Sequence, residues 1–128
     1  MNTSTPKEAP ADAQLVITLA KERNAPSVAN QPDVNFLAWR IIEDALGEHR
    51  ALGLMGPHTI RMTSPLQSID TVTRTIVTES GRRYHLHQEP ATESGIVAAM
   101  FLHALTQRVA VTRDVSDDIW TEMLGNTQ

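Results

Sequence analysis

His85-Leu86-His87 is the place in this chain where residue type and spacing offer two ligands to one metal ion. Alternate residues of a strand project from one face, so a His-x-His step presents both imidazoles together. Arg82-Arg83 come directly before, and Arg61 and Arg74 lie on stretches that can neighbour them. The same region therefore also reads as a basic spot, suited to an acidic protein partner or a nucleic-acid backbone. The remaining chemistry-bearing residues have plainer explanations. Asp117-Asp118 stand at a predicted helix start, where the helix dipole favours carboxylates. Glu43-Asp44 and Glu79 read as solvated surface, and His49 and His103 as surface or core-edge residues. Ser94 lies in Glu93-Ser94-Gly95, not in a Gly-x-Ser-x-Gly turn, and no phosphate-binding loop is present. No residue is assigned a catalytic role and no cofactor is expected. The candidate binding surface is Arg82, Arg83, His85 and His87.

A β-hairpin over residues 72–88 must position these side chains. Two runs rich in Thr, Val, Ile and Tyr flank Glu79-Ser80-Gly81. A three-residue loop, with Gly81 in the left-handed region, sets Thr78 opposite Arg82, Ile76 opposite Tyr84 and Arg74 opposite Leu86. Val72, Ile76, Tyr84 and Leu86 then share an apolar face, to be covered by helices. Thr73, Thr75, Val77, Arg83, His85 and His87 share a polar one. A two-residue turn at Ser80-Gly81 would mix the two faces.

Composition limits the function classes. The chain has 128 residues, no cysteine and a net charge of −4. It is long enough for one domain with its own core, and without cysteine it has neither disulfides nor thiolate metal sites. A negative balance argues against general phosphate neutralisation, although a local basic patch remains compatible with it. The aromatic residues Phe36, Trp39, Tyr84, Phe101 and Trp120 are too few for a base-stacking platform beyond the needs of a core. No apolar run reaches membrane-span length and no secretory leader is evident, so a cytoplasmic, non-membrane protein is expected.

The other elements follow from pattern. Residues 1–11 predict a flexible tail, residues 12–125 a single domain and residues 126–128 a second tail. Over residues 12–24 the spacing of Leu15, Val16, Leu19 and Ala20 predicts a helix, with a strand at residues 15–19 as the alternative. After a proline-bounded loop at residues 25–32, Asp33 predicts a cap and residues 34–50 a long amphipathic helix, ended by Gly53 and Gly56-Pro57. Residues 58–69 predict a strand with an edge position or bulge at Pro65, and Asp70-Thr71 a turn into the hairpin. Thr92 then caps a nearly all-apolar helix over residues 93–108. Such a helix is either central to the core or covered by a partner, with Met100, Phe101 and Leu105 as its core or oligomer residues and a homodimer as one outcome. Residues 109–112 predict a short further strand, and Ser116 caps a last helix, residues 117–124, stopped by Gly125.

Two resemblances bear on these residues. Residues 81–95 are similar to a cupin's first motif, which would make Glu93 a third ligand beside His85 and His87, but no second histidine motif follows. Thr63-Ser64-Pro65, Ile69-Asp70, Val77-Thr78, Ser80-Gly81-Arg82, Tyr84, Leu86, Pro90 and Asp114-Val115-Ser116 together resemble small proteins of proteobacterial phages and integrative elements, over residues 61–119. Those proteins often carry Gly-Pro-Pro and helical tryptophans where this chain has Gln88-Glu89-Pro90 and Phe101. No activity is attached to that group, so the resemblance implies a mobile-element setting and not a reaction.

The expected fold is α+β, a small antiparallel sheet, three strands with a fourth in prospect, packed against two to four helices. The expected function is a small non-enzymatic binding or regulatory protein acting through protein contacts. A small metal-binding protein or metal-dependent enzyme using His85 and His87 is the alternative, and a nucleic-acid-binding regulator a further one.

Overall fold

The computed structural model describes residues 18–20 and 25–125. Among these the chain is mostly sheet. The strands are β1 (Thr18–Ala20), β2 (Asp33–Asn35), β3 (Ala38–Asp44), β4 (His49–Gly56), β5 (Thr59–Met62), β6 (Leu66–Asp70), β7 (Thr75–Thr78), β8 (Arg83–His85) and β9 (Val111–Asp114). The helices are α1 (Ser94–Thr106) and α2 (Ser116–Gly125). A five-stranded sheet runs in the order β1-β5-β4-β3-β9 and a four-stranded one in the order β2-β8-β7-β6. The expected single small sheet of three or four strands against two to four helices is thus corrected to a mostly β fold, two sheets of five and four strands with two helices among the described residues. Two pairings, β1 with β5 and β2 with β8, are parallel.

The largest correction lies in residues 34–50, which form β2, β3 and the start of β4 instead of a helix. The reason is two-sided burial. Trp39 and Ile41 of β3 face the four-stranded sheet, while Ile42 faces α1, and all three are fully buried. A strand covered on both faces is apolar in both phases, and such a run imitates helical spacing. The leucines and alanine that would have completed the helical stripe, Leu37, Ala45 and Leu46, are exposed. Residues 45–47 are a hairpin loop: Asp44 N–H donates to Glu48 O at 2.8 Å, Gly47 N–H donates to Asp44 O at 2.9 Å, and Gly47 sits at φ 82°.

Three layers result, α1 on the five-stranded sheet and that sheet on the four-stranded one. Ile42, Leu52, Ile60 and Met62 meet Met100 and Ala104 of α1. On the opposite face Trp39, Ile41 and Ala51 meet Val34, Ile76, Tyr84 and Leu86, and α2 adds Ile119 and Met123. The Ile76 and Tyr84 face is therefore covered chiefly by a second sheet and not by helices. Gly53, expected to end a segment, lies inside β4 with the Phe36 ring against its backbone, where a Cβ would overlap the ring. Phe36 in turn stacks on Tyr84, 4.7 Å between centroids.

The hairpin keeps its predicted register over residues 75–85, but Val72, expected on the buried face, lies in the turn before β7 and is 66% exposed. Ile76 pairs with Tyr84, Thr75 with His85 and Val77 with Arg83. Thr78 N–H donates to Arg82 O at 3.1 Å, and Gly81 takes φ 93°. The strand before it is split: β5 belongs to the five-stranded sheet, while β6 is an edge strand of the four-stranded one, with a register shift between Leu66 and Ser68 just after Pro65. Asp70 Oδ1 accepts the N–H groups of Val72 and Thr73 and turns the chain into β7. Residues 18–20 are strand where a helix was expected, and the rest of that expectation lies outside the described residues. At α1 the capping carboxylate is Glu93, not Thr92; its Oε1 accepts Ile96 N–H at 2.8 Å.

Candidate functional site

The polar face of the hairpin is completed by a strand from elsewhere in the chain. Parallel β2 sets Asp33 beside Arg83 and Asn35 beside His85, with Val34 turned into the core. Paired residues on neighbouring strands point to one side, so Asp33, Asn35, Arg83 and His85 share the outward face. The Arg83 guanidinium grips the Asp33 carboxylate with two bonds, Nε to Oδ1 at 2.8 Å and Nη2 to Oδ2 at 2.7 Å. His85 Nε2–H donates to the same Oδ1 at 2.8 Å, while its Nδ1 lies 3.2 Å from Thr75 Oγ1. His87 Nε2–H donates to Asn35 Oδ1 at 2.8 Å, and the two imidazoles stack 6.1 Å apart, 12° from parallel. The hydrogen bonds from Arg83, then that from His85, hold the Asp33 carboxyl well below the usual carboxylate range, and Asp33 raises Arg83 in return.

Of the four predicted surface residues the structure brings Arg83, His85 and His87 together, but not Arg82. That side chain is buried, its Nε donating to Gln31 O at 2.8 Å and its Nη2 donating to Pro26 O. Arg61 is also buried, with Nη1 donating to Gln31 Oε1 at 3.1 Å, and Arg74 lies 4.7 Å from the Trp120 ring. The four arginines therefore form no common basic patch, and Arg83, the exposed one, is neutralised by Asp33. Sequence reasoning missed Asp33 and Asn35. Their signal was present in Asp33-Val34-Asn35, whose polar-apolar-polar alternation matches Arg83-Tyr84-His85.

Carboxylate, imidazole and hydroxyl stand in line at Asp33, His85 and Thr75, the order of a proton relay. Its chemistry is blocked at both ends. Thr75 is 9% exposed and its hydroxyl proton is given to Thr73 O at 3.2 Å, while Asp33 is already balanced by Arg83. The chain of bonds locks strands instead. For a metal, each Nε2 is committed to a different acceptor, and Glu93 is engaged in capping α1. Among the described residues no three His, Asp or Glu side chains gather in ligand geometry. A shallow cleft of about 210 Å³ lies elsewhere, between Asp44, Leu46, Arg50, Arg108 and Val109, and it holds no nucleophile.

Helix α1 carries the other candidates. Met100 is fully buried against the sheet and Phe101 is half-buried, whereas Leu105 is 68% exposed. Leu102, which sequence reasoning did not single out, is 55% exposed, and Ala98 is exposed with it. These three stand at i, i+4 and i+7, on one outward stripe. No acidic or basic side chain other than His103 occurs between Ser94 and Gln107, and His103 is buried. Among the described residues no helix is long and apolar enough to cross a membrane. Comparisons with family models, curated proteins and solved structures found no match.

Proposed function

We propose that this chain is a small non-enzymatic accessory protein that acts through protein contacts, and that the outward stripe of α1 is its contact surface. One observation carries the reading: Ala98, Leu102 and Leu105 present an apolar face to water on a helix whose opposite face is already buried. Covering a half-exposed leucine recovers on the order of 1–2 kcal/mol, so this stripe holds most of the unspent hydrophobic free energy of the helix. The hairpin face contributes less, because Asp33, Arg83, His85, Asn35 and His87 already satisfy one another. The resemblance to phage and integrative-element proteins supports a mobile-element setting.

The test is capture by the tagged protein in its native host, beside a Leu102→Ser, Leu105→Ser variant. A stoichiometric protein, including an untagged copy of the same chain, held by the first and lost by the second is the expected result. Equal capture by both, or none by either, overturns the reading.

A further inference from the structure

We propose that Arg74, stacked on Trp120 just before β7, is a docking point for an acidic side chain of a partner protein, on a surface separate from the α1 stripe. The Arg74 guanidinium carbon lies 4.7 Å from the centroid of the Trp120 ring. Its side chain makes no hydrogen bond or ion pair among the described residues. The other arginines are spent. Arg40, Arg50, Arg83 and Arg113 each hold a carboxylate, and Arg61 and Arg82 are buried on neutral oxygens. Arg108 follows the last turn of α1, where a cation complements the helix dipole.

The backbone aims the group. Arg74 takes φ 55°, and its carbonyl accepts the Leu86 N–H at 2.9 Å. Glycine adopts this left-handed conformation at lower cost, so what the residue adds to the turn is its side chain. Trp120 covers one face of the guanidinium and Nε is buried without an acceptor, so the terminal Nη groups are the donors left open. Their planar fork fits one carboxylate, and stacking has already removed rotamer freedom that binding would otherwise cost.

The surroundings select the partner. Along α2, Asp117 lies one turn before Trp120, exposed and 3.8 Å from Arg40 Nη1, and Leu124 lies one turn after it, 46% exposed. With Asp118 and Glu122 also exposed on this helix, the repeated charges of a nucleic-acid backbone meet repulsion. A protein segment with one acidic residue for Arg74, a basic residue on its Asp117 side and an aliphatic one on its Leu124 side is complementary throughout. Arginine and tryptophan are also the residue types that dominate the energy of protein contacts.

Titration of the full chain with the blocked tetrapeptide Lys-Glu-Ala-Leu tests this, followed by the Arg74 Nε–H and Trp120 Nε1–H resonances. Saturable shifts of both are expected, with a dissociation constant on the order of 1 mM. The peptide with Gln in place of Glu should bind about tenfold more weakly, a comparison that needs no variant of the chain. No saturable shift up to about 10 mM, or equal binding of the two peptides, overturns the proposal. Arg74→Gln should abolish the difference between the peptides, and Arg74→Lys, which lacks the fork, should restore it only in part; a difference that survives Arg74→Gln overturns the assignment. Acetate or single-stranded DNA binding as tightly as the tetrapeptide overturns the protein segment as occupant. The Leu102→Ser, Leu105→Ser variant should bind the peptide unchanged, and loss of binding there overturns the separation of the two surfaces.

Discussion

Ser116 Oγ accepts the Ile41 N–H at 2.7 Å and donates back to Ile41 O at 3.2 Å, so one hydroxyl at the start of α2 serves both backbone groups of a residue in the middle of β3. Next along the strand, Ile42 is paired with Asp114 of β9, so the side chain takes over where the ladder ends. Ser116 is fully buried. Ser116→Ala leaves a buried N–H without its acceptor and is expected to cost about 1–3 kcal/mol, read as a lowered denaturant midpoint at unchanged slope.

Gly53 is held by packing and not by backbone conformation. Its missing Cβ makes room for Phe36, which in turn stacks on Tyr84 across the sandwich. Gly53→Ala should destabilise by about 1–3 kcal/mol through overpacking. Restoring the midpoint in the Gly53→Ala, Phe36→Leu double variant would show that the ring is the cause, and a midpoint unmoved by Gly53→Ala alone would refute the close approach.

Arg82 and Arg83 are neighbours in sequence with opposite roles. Arg82 is buried and ties the loop of residues 25–32 to β8 through two main-chain carbonyls, so Arg82→Ala should cost about 2–4 kcal/mol, and Arg82→Lys, which lacks the planar fork, should not recover it. Arg83→Ala, on the exposed face, should leave the thermal midpoint nearly unchanged. Equal losses at both positions would contradict this division.

The Asp33 pairing makes β2 acid-sensitive in a defined direction. Its carboxyl is held down in the folded chain, so protons bind the unfolded chain first; the stabilisation is fully present above the ordinary carboxylate range and is lost progressively as pH falls from there through the lowered folded value. The Asp33 carboxyl resonance should therefore remain that of the ionised form through about pH 4, where free aspartate is half protonated. A midpoint at the ordinary value would show that Arg83 and His85 do not act on it.

The legibility of the fold is best judged from two loops of the same construction. At Thr78 to Arg82 and at Asp44 to Glu48 a strand residue N–H donates to the carbonyl four residues on, and the glycine three positions along takes a positive φ. The first was readable because its flanks alternate apolar and polar. The second was not, because β3 and β4 bury apolar side chains on both faces, and apolar residues in both phases of a strand pass for helical spacing. The candidate site shows the same division. Arg83, His85 and His87 were legible because they share one hairpin, whereas Asp33 and Asn35 reach them through a parallel pairing some fifty residues away, which no local pattern specifies. On α1 the apolar excess was plain, but only the packed sheet shows that Met100 points inward and Leu102 outward.

That parallel pairing also bears on the order in which the molecule is built. The hairpins β3-β4, β4-β5, β6-β7 and β7-β8 each close a short loop, so their entropy of closure is small and they are expected to form early. Strand β2 has three residues and adds to the free edge of β8 through a pairing that closes a loop of about fifty residues, far longer than any of the hairpin loops. Its amides should be the last in the four-stranded sheet to gain protection in pulse-labelled refolding and among the first to lose it. The Asp33, Arg83 and His85 cluster would then assemble only when the chain is otherwise complete, which makes it a reporter of finished folding.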